Sequence, residues 1–325
     1  MKIKNFNLLS LITLLTLFFS NHESWGQTIL KQDSNHCTKP IGRIVEAGKG
    51  RLICQNEKIT LENESLFICY SDPKMLKLQP GVYIIDSICK GTQASRKCTL
   101  LTTDVCPNRK GPNRRENAPN IIQPYGKMLI NRRPLISWTA VPGATSYIVE
   151  VSGGGVKWQK QVVGTTLSYP QDQQELSYGS ANKIIVIANK GDTPIIDATL
   201  VVHLLSEQSS QQINQAAETI QSLGLSADET AYIDLDAIYM SQRLLNETIK
   251  TLETRVVAGS FNPSLYRILG DRYVEAWMPQ EAKTAYIKAL QLARFQKNPG
   301  EVKLVQERLS ALVQSQLPTR TNPAQ

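Results

Sequence analysis

The chain has 325 residues, with 36 Lys+Arg against 28 Asp+Glu and a formal net charge of +8. That length exceeds one ordinary domain and anticipates two or three. The charge is uneven: residues 27–133 carry 18 basic and 9 acidic side chains, residues 134–203 carry 4 and 5, and residues 204–325 carry 12 and 13. The basic excess belongs to the N-terminal part alone, and no stretch beyond residue 26 approaches the roughly 20 apolar residues of a membrane span.

Lys2 and Lys4 precede an apolar core over residues 8–19, and Ser24-Trp25-Gly26 places small residues at the −3 and −1 positions before Gln27. This is a secretory leader over residues 1–26, too short in its core to span a bilayer. The expected location is secreted, in a periplasm or outside the cell.

All six cysteines, Cys37, Cys54, Cys69, Cys89, Cys98 and Cys106, fall in residues 37–106. An even set behind a leader reads as a disulfide-stapled module whose pairing the sequence leaves open. No C-x-x-C pair occurs and His36 is the only nearby histidine, so no metal site is expected. Apolar runs at 41–47, 51–54, 66–70 and 82–88, broken by Gly48, Gly50, Asp72-Pro73 and Pro80-Gly81, predict strands. A module of this size has a small core, which explains the staples. Residues 41–87 resemble the secreted all-β ectodomain called FecR-like.

Residues 107–130 read as a linker, with four prolines and two glycines between 107 and 133 disfavouring helix and strand. A basic patch of Arg109, Lys110, Arg114, Arg115, Lys127, Arg132 and Arg133 runs through and just past it. Its plain reading is a solvated spacer, and its functional reading is a footprint for an anionic envelope polymer. Nucleic acid is not expected, because no aromatic side chains interleave the charges.

Over residues 131–205 the run Pro134…Trp138…Val141-Pro142-Gly143-Ala144…Tyr147-Ile148-Val149-Glu150-Val151 gives a strand, a turn and an alternating strand. Tyr147, Val149 and Val151 share one face, and Trp138 fills the space between sheets. Further strands are predicted at 158–163, 184–188 and 198–204, with turns at 153–155 and 190–192. The pattern P-x-x-x-W-x-x-V-x-G-A-x-x-Y-x-V-x-V resembles a fibronectin type III domain, which implies an Ig-like β-sandwich. Leu176 and Gly179 fit the later part of that family's pattern, but Asn182 stands where its corner Tyr is expected.

Residues 206–316 are helical with an internal repeat. Tyr232, Leu235, Asp236, Tyr239 and Leu252 recur 34 residues later as Tyr266, Leu269, Gly270, Tyr273 and Tyr286. Ala282, Tyr286 and Ala289 follow on the second helix. This resembles the tetratricopeptide pattern. The earlier unit departs from it, with Asp236 in place of Gly and Thr248 in place of Ala, and Trp277 occupies a turn position that usually holds Gly. Amphipathic segments at 206–223 and 300–316 are candidate caps, and 317–325 reads as a disordered tail. The resemblance implies a concave groove for a protein or peptide, lined by Ile233, Ala237, Met240, Arg267, Asp271 and Val274.

The expected fold class is multidomain: a disulfide-rich small β module, an Ig-like or fibronectin type III-like β-sandwich, and an all-α tetratricopeptide-like helical array. The combination resembles secreted envelope proteins of the cyanobacterial type in architecture, and the expected function is a non-catalytic scaffold that binds a protein or peptide. The alternatives are polymer binding through the basic half and, last, a carbohydrate-active enzyme. The mature chain has only His36 and His203, and no G-x-S-x-G, H-E-x-x-H or phosphate loop, so neither catalysis nor a cofactor is expected. Paired acids do occur, at Asp234/Asp236 and Asp271/Glu275.

Overall fold

A hairpin of β1 (Pro40–Glu46) and β2 (Lys49–Cys54) begins the described part of the computed structural model, which covers residues 40–46, 48–72, 75–89 and 117–316. The leader, Cys37, Cys98, Cys106, Arg109, Lys110, Arg114, Arg115 and the 317–325 tail lie outside those residues. Gly48 turns the hairpin at φ 75°, a left-handed conformation that glycine adopts without penalty.

β3 (Lys58–Leu61), β4 (Ser65–Cys69), β5 (Met75–Leu78) and β6 (Gly81–Ile84) follow, then the short helix α1 (Ile85–Ile88). One sheet runs β2-β1-β4-β5, and β3 pairs with β6. Side chains alternate across the larger sheet. Ile44, Ile53 and Phe67 point into the module's own core with Ile59, Leu61 and Ile85. Val45, Leu52 and Ile68 point the other way, into a second cluster with Ile213, Ala216, Ile220 and Ile238 of the helical segment. Residues 67–70 are all buried, as a strand covered on both faces must be.

The next strands are β7 (Ile121–Gln123), β8 (Met128–Leu129), β9 (Ile136–Trp138), β10 (Ser146–Gly153), β11 (Val156–Val162), β12 (Thr166–Leu167), β13 (Ala181–Lys190) and β14 (Thr193–Leu204). They form sheets β11-β10-β13-β14-β8 and β12-β9-β7, which enclose one apolar core. Tyr147, Val149 and Val151 are 5%, 0% and 1% exposed, as their alternation predicts. Trp138 is buried edge-on to Tyr147, with ring centroids 5.3 Å apart. Asn182 is buried and donates to the Ser180 hydroxyl at 2.8 Å.

The described part of the stretch read as a linker is no spacer. β7 pairs with β9, and β8 pairs in parallel with β14. Its proline and glycine suggested irregular chain, yet the glycine serves a close approach: an added Cβ at Gly126 would lie 3.1 Å from the Leu245 Cβ. Tyr125 beside it is buried in the helical core.

The helical segment comprises α2 (Glu207–Ser222), α3 (Ala227–Glu229), a π-helical turn (Thr230–Leu235), α4 (Asp236–Ser241), α5 (Leu245–Val257), α6 (Pro263–Glu275), α7 (Pro279–Phe295) and α8 (Pro299–Gln316). Ser206 caps α2 by accepting from the Ser209 N–H, and Asn262 caps α6 by accepting from the Ser264 N–H. Proline opens α6, α7 and α8, where its missing N–H costs nothing. Four helices end in the same closure, with residues 243, 259, 277 and 297 at positive φ and paired i→i−3 and i→i−5 backbone bonds around each. Trp277 (φ 63°) therefore adopts the left-handed turn that its position demands, as Arg243 does 34 residues earlier (φ 57°). Gly270 lies against the Tyr286 ring, where an added Cβ would come within 2.4 Å. The described residues pack as one unit, and no helix among them is long and apolar enough to cross a membrane.

Candidate functional site

The π-helical turn and the first residue of α4 carry Asp234 and Asp236. Side chains two positions apart on a helix point to opposite sides, so these two acids bind different parts of the chain. Asp234 faces the N-terminal sheet. Arg43 of β1 sits in register between Leu52 and Ile68, on the sheet face turned toward the helices. Its Nε and Nη2 donate to the two Asp234 oxygens at 2.7 and 3.0 Å, and its Nη1 donates to the Gly50 carbonyl at 3.0 Å. The Tyr70 hydroxyl also donates to Asp234 Oδ1. Gly50 is required by this packing: a Cβ there would lie 2.7 Å from Arg43 Cδ and 2.9 Å from Leu223 Cδ1 of the helical segment.

Asp234 is fully buried and Arg43 nearly so. Burial alone lowers the pKa of a guanidinium, but the hydrogen bonds and charge of Asp234 outweigh it and raise that of Arg43. Burial, then the Asp234 charge, push the Tyr70 phenol well above its ordinary value. Asp234 therefore has three directed donors, the geometry a buried carboxylate needs.

Asp236 faces the other way. Arg272 of α6 donates to both its oxygens at 2.6 Å and to Glu275 at 2.5 Å, and the Thr248 hydroxyl reaches Asp236 at 3.4 Å. Burial lowers the Arg272 pKa, but the Asp236 charge and hydrogen bonds raise it overall. Asp236, Thr248 and Arg272 thus form a polar clasp joining α4, α5 and α6. A third link is the Glu253 carboxylate, which accepts from Tyr125 at 3.1 Å and from Tyr273 at 2.7 Å. Burial and Glu253 raise both phenols.

The six residues expected to line a groove are engaged inside the chain. Ile233 and Ala237 pack in the cluster shared with Val45, Leu52 and Ile68 of the N-terminal sheet. Met240 packs against the helical core, and Val274 is buried within it. Arg267 pairs with Glu301 of α8 at 2.6 Å, and Asp271 accepts from Tyr286 at 2.7 Å and from Arg308 of α8 at 3.1 Å. Of the six, Val274 is buried and the other five are partly exposed, with the N-terminal sheet and α8 against part of their surface. The acids Asp234, Asp236 and Glu275 are all held by guanidinium groups, so none stands as a solvent-ready acid or base.

In the basic patch, Arg132 and Arg133 are both paired with Glu175, at 2.7 and 3.0 Å, and their guanidinium groups lie 4.8 Å from the Tyr178 ring and 5.6 Å from the Tyr169 ring. Lys127 also has a bonding partner. Of the cysteines, Cys69 and Cys89 form a disulfide with Cα atoms 5.7 Å apart, and Cys54 is also disulfide-bonded. Sequence reading noted Asp234 and Asp236 as a pair of acids but missed Arg43, Tyr70 and Arg272. A usable signal was present: Arg43 interrupts the apolar run 41–47, and an arginine in a strand buried on both faces needs an acid. Compared with known proteins, the chain matches no family model and no curated relative.

Proposed function

We propose that the protein is a non-catalytic, secreted scaffold of the cell envelope that binds a protein or peptide partner. In this reading residues 131–205, joined by the strands at 121–123 and 128–129, are a fibronectin type III-like sandwich and residues 206–316 a tetratricopeptide-like array, which together mount the cysteine-rich module rigidly. The observation that carries it is the buried Arg43–Asp234 pair, which ties the first described strand to the helices. The contact between Gly270 and Tyr286 and the matching turns at Arg243 and Trp277 support the repeat reading. The leader and the disulfide support export.

Because Ile233 and Ala237 pack toward the N-terminal sheet and Arg267 and Asp271 are ion-paired with α8, we place partner contact on apolar side chains exposed on the last two helices, among them Ile287 (41%), Leu304 (43%) and Val313 (52%). The test uses the full mature chain immobilised against an envelope extract, with any retained protein purified and rebound. The reading expects saturable rebinding that Ile287→Asp and Leu304→Asp weaken without moving the thermal midpoint. No specific retention, or retention unchanged in both variants, contradicts it.

A further inference from the structure

The α5–α6 and α7–α8 loops meet α3 and the π-helical turn at one end of the helical segment and bound an open, mainly polar cleft of about 460 Å³. Its walls include Asp228 and Tyr232 from α3 and the π-helical turn, Phe261 and Asn262 from the α5–α6 loop, and Gln296 and Asn298 from the α7–α8 loop. None of these residues takes part in the ion pairs that hold the sheet to the helices.

The walls are fixed by bonds that leave chosen polar atoms open. The Asp228 carboxylate is held by Arg255 Nε at 2.8 Å and by the Ser260 hydroxyl at 2.7 Å. Gln296 Nε2 donates to the Phe261 carbonyl at 2.7 Å, which pins the backbone under the Phe261 ring and leaves Gln296 Oε1 without a partner among the described residues. Asn298 Oδ1 accepts from the Glu301 N–H at 3.0 Å, and its amide N–H groups remain. Asn262 Oδ1 accepts from the Ser264 N–H at 3.0 Å. Above this lining the Phe261 ring is 72% exposed, so it adds little to the core.

The chemistry selects the ligand. An anion is disfavoured because Asp228 lies in the wall, Glu301 is close by, and Arg255 is already paired with Asp228. A bare cation finds a single carboxylate that an arginine already occupies. What remains is a flat apolar ring beside neutral amide donors and acceptors, which suits a molecule with one C–H face and a rim of hydroxyls. We infer that the cleft binds a neutral saccharide unit, stacked on Phe261 and hydrogen-bonded by Gln296 and Asn298. The site lies on loops and does not depend on the exposed helix faces of α7 and α8, so either reading can fail alone.

The test is titration of the full mature chain, by calorimetry and ligand-observed NMR, with cellotetraose, maltotetraose and N-acetylchitotetraose. At least one should bind saturably with Kd in the range of about 0.1–5 mM. Phe261→Ala should weaken that binding by about tenfold or more, and its thermal midpoint should match the parent because the ring is exposed. Gln296→Ala should weaken it as well. No saturable binding to any of the three up to about 20 mM, or binding that Phe261→Ala leaves unchanged, overturns the assignment. An acidic oligosaccharide binding where the neutral ones do not overturns it too.

Discussion

Arg43 and Asp234 stand 191 residues apart in sequence and share two hydrogen bonds, 2.7 and 3.0 Å, with the carboxylate wholly withdrawn from water. A buried pair of this kind is weak evidence for net stability, since desolvation offsets the attraction. It is strong evidence for specificity of docking. Each partner alone would be an uncompensated buried charge, so the sheet and the helices fit in the arrangement that pairs them.

Gly270→Ala tests the closest helix contact. The new methyl would lie 2.4 Å from a Tyr286 ring that is 1% exposed and tethered through its hydroxyl to Asp271. Helix propensity favours Ala by about 1 kcal/mol, but overpacking costs about 1–3 kcal/mol. Net destabilisation is expected in urea unfolding, and a stabilised variant would show that the helices separate freely there.

Glu247 gives the fold a pH dependence. It lies in the first turn of α5, and its Oε2 is buried without a partner. Burial pushes its carboxyl up to about 7, with Asn246 and Lys250 opposing only in part. The folded state thus prefers the neutral acid. Its contribution is complete below the ordinary value of 4.5, falls as pH rises toward 7, and is level above that. The span is on the order of 3 kcal/mol. Unfolding free energies of the parent and Glu247→Gln measured from pH 4 to 8 should diverge across that window, with the variant gaining relative stability as pH rises. Parallel curves would contradict this.

What could be read from the sequence was local. The alternation of Tyr147, Val149 and Val151, the turns at Gly143 and Gly191, and the meeting of Gly270 with Tyr286 all follow from period and residue size over short spans. The Asp234–Arg43 and Asp236–Arg272 pairs could not be read that way, because an acid names no partner and these partners lie 191 and 36 residues away. Residues 119–130 misled for a different reason. Pro124 and Gly126 look like breakers, but the close packing of Gly126 on Leu245 is a tertiary demand with no trace in local pattern. The groove reading rested on helical period, which placed Ile233 and Arg267 on one face; nothing local showed that Ile233 packs toward the N-terminal sheet or that Arg267 pairs with Glu301 of α8.

Lys297 offers a stabilising change. It is exposed and holds φ 54° at the α7–α8 turn, a left-handed conformation that costs a non-glycine residue about 1 kcal/mol. Lys297→Gly should raise the thermal midpoint by a few degrees in calorimetry. A lowered midpoint would mean that the lysine side chain contributes more than its backbone strain.

The most direct measurement is a double-mutant cycle on Arg43→Ala and Asp234→Ala, read by urea unfolding of the full chain. Each single substitution should cost about 3–5 kcal/mol by stranding a buried charge, while the double variant should lose at least about 2 kcal/mol less than the sum. Singles that each cost under about 1 kcal/mol, or that add without coupling, would contradict the account of a cysteine-rich module locked onto its helices.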